Sequence, residues 1–269
     1  MSLKIVVLAK QVPDTRNVGK DAMNADGTIN RAALPAIFNP EDLNALEQAL
    51  RLKDTHPGST VTILTMGPGR AAEIIREGLY RGADNGYLLT DRAFAGADTL
   101  ATSYAIATAI RKIGECDLII GGRQAIDGDT AQVGPQIAEK LHLPQITYAA
   151  EITKNGDEVT VKRMLEDGYM TIKVQTPCLL TCIKELNEPR YMSVGGVFEA
   201  YGKPLTTLGY EDLKDHPLID ATTIGLKGSP TNIFKSFTPP QKGAGMMLEG
   251  ADKATCEKLA GILAAKHII

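Results

Sequence analysis

Ser59-Thr60-Val61-Thr62-Ile63-Leu64-Thr65-Met66-Gly67-Pro68-Gly69 decides the fold. The apolar, β-branched run reads as a strand buried on both faces. Gly67-Pro68-Gly69 turns it into a predicted helix from Ala71 to Tyr80, which Arg81-Gly82-Ala83-Asp84 ends. The same unit repeats on either side. Upstream, Leu3 to Ala9 is another buried strand. Asn39-Pro40-Glu41-Asp42 then opens a helix, with Asn39 as cap, Pro40 in the first turn and two acids at the positive end. Leu43, Leu46 and Leu50 continue that helix, and His56-Pro57-Gly58 stops it. Downstream, Tyr87-Leu88-Leu89 is a third strand. Ala97-Asp98-Thr99 caps a helix to about Ile113, Cys116 to Ile120 is a fourth strand before Gly121-Gly122, and Thr130 to Leu141 is a further helix. This alternation predicts an α/β fold: a mostly parallel sheet with helices on both faces.

The rhythm changes after Pro144. Ile146 to Ile152, Glu158 to Leu165 and Tyr169 to Val174 alternate as antiparallel strands do, with a turn at Asn155-Gly156-Asp157. Pro177 to Ile183 is one more apolar run. From Asn187 periodicity fails, and Glu188-Pro189-Arg190-Tyr191 and Gly195-Gly196 read as an exposed loop. Pro204 to Gln241 shows little pattern, so we expect an arm lying on another chain. Ala251 to His267 regains helical spacing and needs a surface for its apolar stripe. We therefore expect an α/β nucleotide-binding domain over 1–186, a partner-recognition loop over 187–203 and a C-terminal arm with its helix over 204–269.

With 269 residues, 43% hydrophobic and 23% charged, the chain can bury one large core plus an appendage. A net charge of -3 gives no footprint for nucleic acid or for an anionic membrane surface. The N-terminal run lacks a basic n-region and a long apolar h-region, and no stretch reaches bilayer length, so we expect a cytoplasmic chain without membrane insertion. Cys116, Cys178, Cys182 and Cys256 read as buried thiols. Cys178 and Cys182 share a strand face and are candidate neighbours, but no histidine joins them in a metal pattern.

Ligands of an open parallel sheet bind beyond the carboxyl ends of its strands. Three segments fall there: Ala9 to Asp14, Met66 to Gly69, and Gly121 onward. The richest is Gly122-Arg123-Gln124-Ala125-Ile126-Asp127-Gly128-Asp129-Thr130-Ala131-Gln132-Val133-Gly134-Pro135. A glycine-containing loop leading into a helix offers free amides and a favourable dipole to a phosphate. Asp129 or Thr130 would cap that helix, Arg123 would add a charge-assisted contact, and Gly128 would let the backbone approach closely. Asp127 and Asp129 are read two ways, as acceptors from ribose or a partner chain, or as plain cap residues. Met66 is either a base contact or a core methionine. No catalytic nucleophile stands out: Ser229 in Lys227-Gly228-Ser229-Pro230-Thr231 lacks an elbow context.

These segments resemble the β subunits of electron-transfer flavoproteins. The resemblance rests on Ile5 to Thr15, Asn39 to Asp42, Gly96-Ala97-Asp98-Thr99, Gly122 to Pro135, Asn187 to Tyr191 and Lys227 to Thr231. It implies an adenine nucleotide α-hydrolase-like fold and a heterodimer with an α subunit that carries FAD and is embraced by the C-terminal arm. It places a nucleotide pocket at Ala9, Asn39, Pro40, Glu41, Asp42, Met66 and the run Arg123, Gln124, Ala125, Ile126, Asp127, Gly128, Asp129, Thr130, Ala131, Gln132, Val133 and Gly134. It also implies a dehydrogenase-docking loop at Pro189, Arg190 and Tyr191, with an apolar anchor near Val194. Asp127 to Pro135 is similar to the electron-bifurcating branch, where the pocket holds FAD rather than AMP. That branch takes a hydride from NADH and passes electrons to ferredoxin and, through the α-subunit FAD, to an acyl-CoA or 2-hydroxyacid dehydrogenase. The alternative it leaves open is a plain electron shuttle whose β subunit binds only structural AMP.

Overall fold

The computed structural model describes residues 2–14, 16, 35–231 and 243–269; Thr15 and residues 232–242 of the expected arm lie outside them. The buried run of β1 (Lys4–Leu8) leads into a short antiparallel ribbon, β2 (Gln11–Pro13) with β3 (Ala36–Phe38). Helix α1 (Pro40–Thr55) follows, burying Ala45, Leu46, Ala49 and Leu50. Then come β4 (Thr60–Met66), α2 (Ala72–Arg81), β5 (Asn85–Leu89), α3 (Thr99–Ile113), β6 (Leu118–Gly122) and α4 (Val133–Leu141). Strands β7 (Gln145–Asn155), β8 (Glu158–Met164), β9 (Tyr169–Gln175) and β10 (Cys178–Cys182) complete the expected set.

Among the described residues one nine-stranded sheet forms, in the order β11-β5-β4-β1-β6-β10-β7-β8-β9, where β11 is Leu205–Leu208. All pairs from β11 to β7 are parallel, and β8 and β9 are antiparallel additions. The parallel sheet with antiparallel strands at one edge agrees with the expected fold class. Two cores sandwich it. Ile5, Val7, Val61, Ile63, Leu180 and the inner faces of α1 and α2 form one; Val6, Leu64, Ile119, Leu179 and the inner faces of α3 and α4 form the other. Chain order reverses between β1 and β6, because β4 and β5 build outward on one side and β6 returns to the other. That junction is the switch point at which open α/β sheets bind ligands.

Four details depart from the sequence reading. Gly121 and Gly122 end β6 instead of following it. Helix α4 starts at Val133, not Thr130, because Asp129 and Ala131 take left-handed φ values of 50° and 52°, which a right-handed helix excludes. Gly195-Gly196 is not loop but part of α5 (Val194–Ala200). Ser193 Oγ accepts from Gly196 N at 2.9 Å, and a Cβ at Gly196 would lie 2.3 Å from Tyr80 O, so close packing on α2 requires the glycine. Finally, the stretch from Pro204 is not patternless. β11 pairs with β5, and Leu208, Leu213, Ile219 and Ile224 are buried in the second core.

Ser229 belongs to this packing: its Oγ accepts from Asp98 N and donates to Gly225 O, while Asp98 caps α3. Cys178 and Cys182 do share the core face, but lie about 13 Å apart along β10. Cys256, on α6 (Lys253–Ala265), is exposed, against the expectation of burial. No residue of α6 is buried. No helix among the described residues is long and apolar enough to cross a membrane.

Candidate functional site

The first turn of α1 holds the loop that leaves β6. Asn39, fully buried, makes no side-chain cap, contrary to expectation. Its amide instead brackets the loop: Nδ2 donates to Gln124 O at 2.9 Å and Oδ1 accepts from Ile126 N at 3.1 Å. Glu41 Oε2 accepts from Gln124 N at 3.1 Å, and its Oε1 lies 3.1 Å from Arg123 Nη2. Asp42 accepts from Gly122 N and Lys10 N, both at 2.9 Å. One carboxylate thus joins the ends of β1 and β6. A Cβ at Gly122 would sit 2.5 Å from Asp42 Oδ1, so the glycine admits this contact.

Electrostatics follow from the burial. Desolvation pushes the Asp42 carboxyl up to about 7, against the donors that favour its charged form. Burial also raises Glu41, opposed chiefly by Arg123. Lys10 Nζ reaches Asp127 Oδ1 at 2.6 Å, and Gln124 Nε2 donates to Asp129 Oδ1 at 2.8 Å. Both acids of the loop are therefore engaged within the chain. The expected cap at Asp129 or Thr130 is absent, because the helix begins beyond them and Gln124 takes the Asp129 carboxylate.

These contacts divide the loop. The amides of Gly122, Gln124 and Ile126 are committed to α1, and those of Gly128 and Asp129 to Ala125 O. Donors for an anion come from farther on: Val133 and Gly134 lie in the first turn of α4 and lack intrahelical acceptors. Gly128 stands in open space: a Cβ there would meet nothing within 4 Å, and its φ is not positive. The chain itself makes no demand for glycine there. Gly134 differs, since a Cβ would press on Thr181 Cγ2 at 2.6 Å.

Other expected residues lie around this edge. Ala9 belongs to the core under α1, whereas Met66 packs on the opposite face, against the second core. Pro40 and Ile126 line a cavity of about 490 Å³ with Ile37, Phe38, Leu43 and the Asp14–Arg16 ion pair. Thr130, Ala131, Gln132 and Val133 follow on toward α4, where Thr99 Oγ1 donates to Gln132 Oε1 at 3.0 Å. Arg16 and Tyr148 were not singled out by sequence, and Lys10 was named only as part of the Ala9 to Asp14 segment at the carboxyl end of the first strand. Among the described residues no cluster of His, Cys, Asp or Glu could hold a metal ion.

The segment after β10 is pinned to the middle of α1. Asn44 Nδ2 donates to Asn187 O at 2.6 Å, and Asn187 Nδ2 donates to Asn44 O at 3.1 Å. Arg190 meets Glu47 and Asp54, both at 2.8 Å. Beyond these anchors, Tyr191, Val194, Phe198 and Tyr201 are 94%, 78%, 75% and 70% exposed. The last three follow helical spacing along one side of α5.

A family model described as "Electron transfer flavoprotein domain" matches residues 26–210. The chain belongs to the electron transfer flavoprotein β-subunit family. It is 60% identical over 270 residues to the acryloyl-CoA reductase electron transfer subunit gamma of Anaerotignum propionicum, covering 99% of this chain and 100% of that protein. It is 51% identical over 271 residues to the caffeyl-CoA reductase-Etf complex subunit CarD of Acetobacterium woodii, with the same coverage. It is 49% identical over 268 residues, again covering 99% and 100%, to an electron transfer flavoprotein subunit beta of Thermoanaerobacterium thermosaccharolyticum. Membership in this family makes the chain an electron-transfer subunit, of a kind found in reductase complexes.

Proposed function

We propose that this chain is the cytoplasmic β subunit of an electron-bifurcating flavoprotein. It holds one FAD at the 122–134 loop, receives electrons from NADH, and divides them between ferredoxin and, through the FAD of an α subunit, a partner dehydrogenase. The observation that carries the reading is the open position of Gly128 beside a loop already fixed by Asn39, Glu41 and Asp42. A side chain there would displace nothing of the chain, so what glycine spares is room for a ligand. The names of two relatives, in acryloyl-CoA and caffeyl-CoA reductase systems, support a reductase partner.

In this reading the protein prearranges the site, and FAD when bound supplies two-electron acceptance and one-electron donation. Val133 and Gly134 direct first-turn amides at the diphosphate. The Asp42 carboxyl group and the Lys10–Asp127 pair keep the loops after β1 and β6 at fixed separation, which lowers the ordering cost of binding. Arg123 offsets the Glu41 charge at the loop entrance. Val194, with Phe198 and Tyr201, forms the docking face for an acyl-CoA or 2-hydroxyacid dehydrogenase, and α6 packs on the α subunit. Denaturing the purified heterodimer and identifying the released nucleotides tests this. Two FAD per heterodimer is expected; one FAD with one AMP would replace the reading with the simple shuttle.

A further inference from the structure

Tyr148 adopts φ 57°, in the left-handed region that costs an aromatic side chain strain. The cause lies in the pairing of β7 with β10. Leu180 faces Ile146 and Cys182 faces Ala149, so three steps on β7 oppose two on β10. The extra residue is a bulge, and the β7–β8 register shifts beside it as well. Ile146 and Ala149 both stay in the core under α1, although a regular strand would place them on opposite faces. Without the bulge, Tyr148 would share the face of Ile146. With it, Tyr148 is turned out of the core and is 36% exposed.

The released ring has a charged neighbour. The Arg123 guanidinium lies over it, 5.5 Å from the centroid. The same guanidinium reaches Glu41 Oε1 at 3.1 Å, and Arg123 N donates to Cys182 O at 2.8 Å. Arg123 Nε is buried with no acceptor among the described residues. The guanidinium is therefore held from two sides, by a carboxylate of α1 and by an aromatic face of β7. A strained residue at a bulge beside a binding loop persists where its side chain has a task.

We propose that Tyr148 is a positioning residue for the nucleotide loop: the bulge of β7 aims its ring under Arg123 and so fixes that guanidinium at the entrance of the 122–134 loop. Tyr148 need not touch the nucleotide. This inference rests on the nucleotide-binding reading of that loop.

The test uses purified αβ complexes of wild type, Tyr148→Phe, Tyr148→Gly, Arg123→Ala and the double variant Tyr148→Gly/Arg123→Ala. Glycine suits φ 57°, so Tyr148→Gly should fold and melt no lower than wild type. Its β-subunit nucleotide should nonetheless leave roughly fivefold faster, the change one cation–π contact supports. Tyr148→Phe keeps the ring and should restore slow release. The double variant should release no faster than Arg123→Ala. Fully additive effects, or wild-type release from Tyr148→Gly, would overturn the positioning role. A crystal structure of Tyr148→Gly separates this inference from the reading beneath it. Arg123 shifted off Glu41 supports the role, and an unmoved pair overturns it, whatever nucleotide is present. A wild-type complex yielding no adenine nucleotide counts instead against the reading of the loop.

Discussion

Lys10 Nζ and Asp127 Oδ1 stand 2.6 Å apart, joining the segment after β1 to the loop after β6 across the switch point of the sheet. The pair is asymmetric. The Asp127 side chain is 2% exposed and the Lys10 side chain 45%.

That asymmetry predicts unequal single variants. Lys10→Met takes one cationic partner from a buried carboxylate and should cost about 2 kcal/mol of stability. Asp127→Asn leaves a lysine that water can solvate and should cost about 1 kcal/mol. Urea unfolding of the two variants measures the order, and equal losses would contradict the account.

Asn39 should be the least replaceable polar residue of the site. Asn39→Ala leaves Gln124 O and Ile126 N without their partner and should lower stability by about 2 kcal/mol. Asn39→Asp keeps an acceptor for Ile126 N but sets an oxygen against Gln124 O. It should therefore be no better than alanine, in both unfolding midpoint and nucleotide retained after gel filtration.

Asp42 gives a pH signature. Its folded value of about 7 exceeds the ordinary 3.8, so the folded protein keeps a proton that the unfolded chain releases. The stabilisation is full below about pH 4 and is lost as pH rises toward 7. Mid-window, the stability of wild type relative to Asp42→Asn should fall by about 1.4 kcal/mol per pH unit. Chemical denaturation of both proteins from about pH 4.5 to about pH 7.5 reads this slope, whatever the absolute cost of the asparagine; a flat difference would place the charge elsewhere.

Phe198→Ala should weaken binding of the partner dehydrogenase by about tenfold, as loss of an exposed aromatic anchor does. Val194→Ala should cost less, because a smaller apolar surface is removed. Neither should change nucleotide content. Calorimetric titration with the dehydrogenase, alongside nucleotide analysis, separates the two surfaces.

Much of the molecule is legible in the sequence because its signals are local. β-branched runs such as Val61 to Leu64, the Pro40 start of α1 and the Asp98 cap of α3 each act within a few residues. The loop from Gly122 also announced itself through glycine and acid content. Its internal wiring did not. Asn39 reads as a helix cap, and only the approach of α1 to β6 shows that its amide serves residues 85 and 87 positions away. Helix α5 was hidden by two glycines of low helix propensity, one of which is needed to clear Tyr80 O. Strand β11 is four residues long and exists because β5 offers it an edge. Tyr148 carried no signal, since its conformation arises from a register mismatch between two distant strands.

Helix α1 reaches both candidate surfaces of this chain. Asn39, Glu41 and Asp42 at its start serve the candidate cofactor loop, while Asn44, Glu47 and Asp54 farther along grip the candidate docking segment. From Asp42 to Glu47 is about 7.5 Å of helix axis. The helix therefore works as a ruler between the candidate cofactor loop and the candidate docking segment: its pitch, not the looser chain on either side, fixes that spacing. A kink introduced at its centre would disturb both ends together.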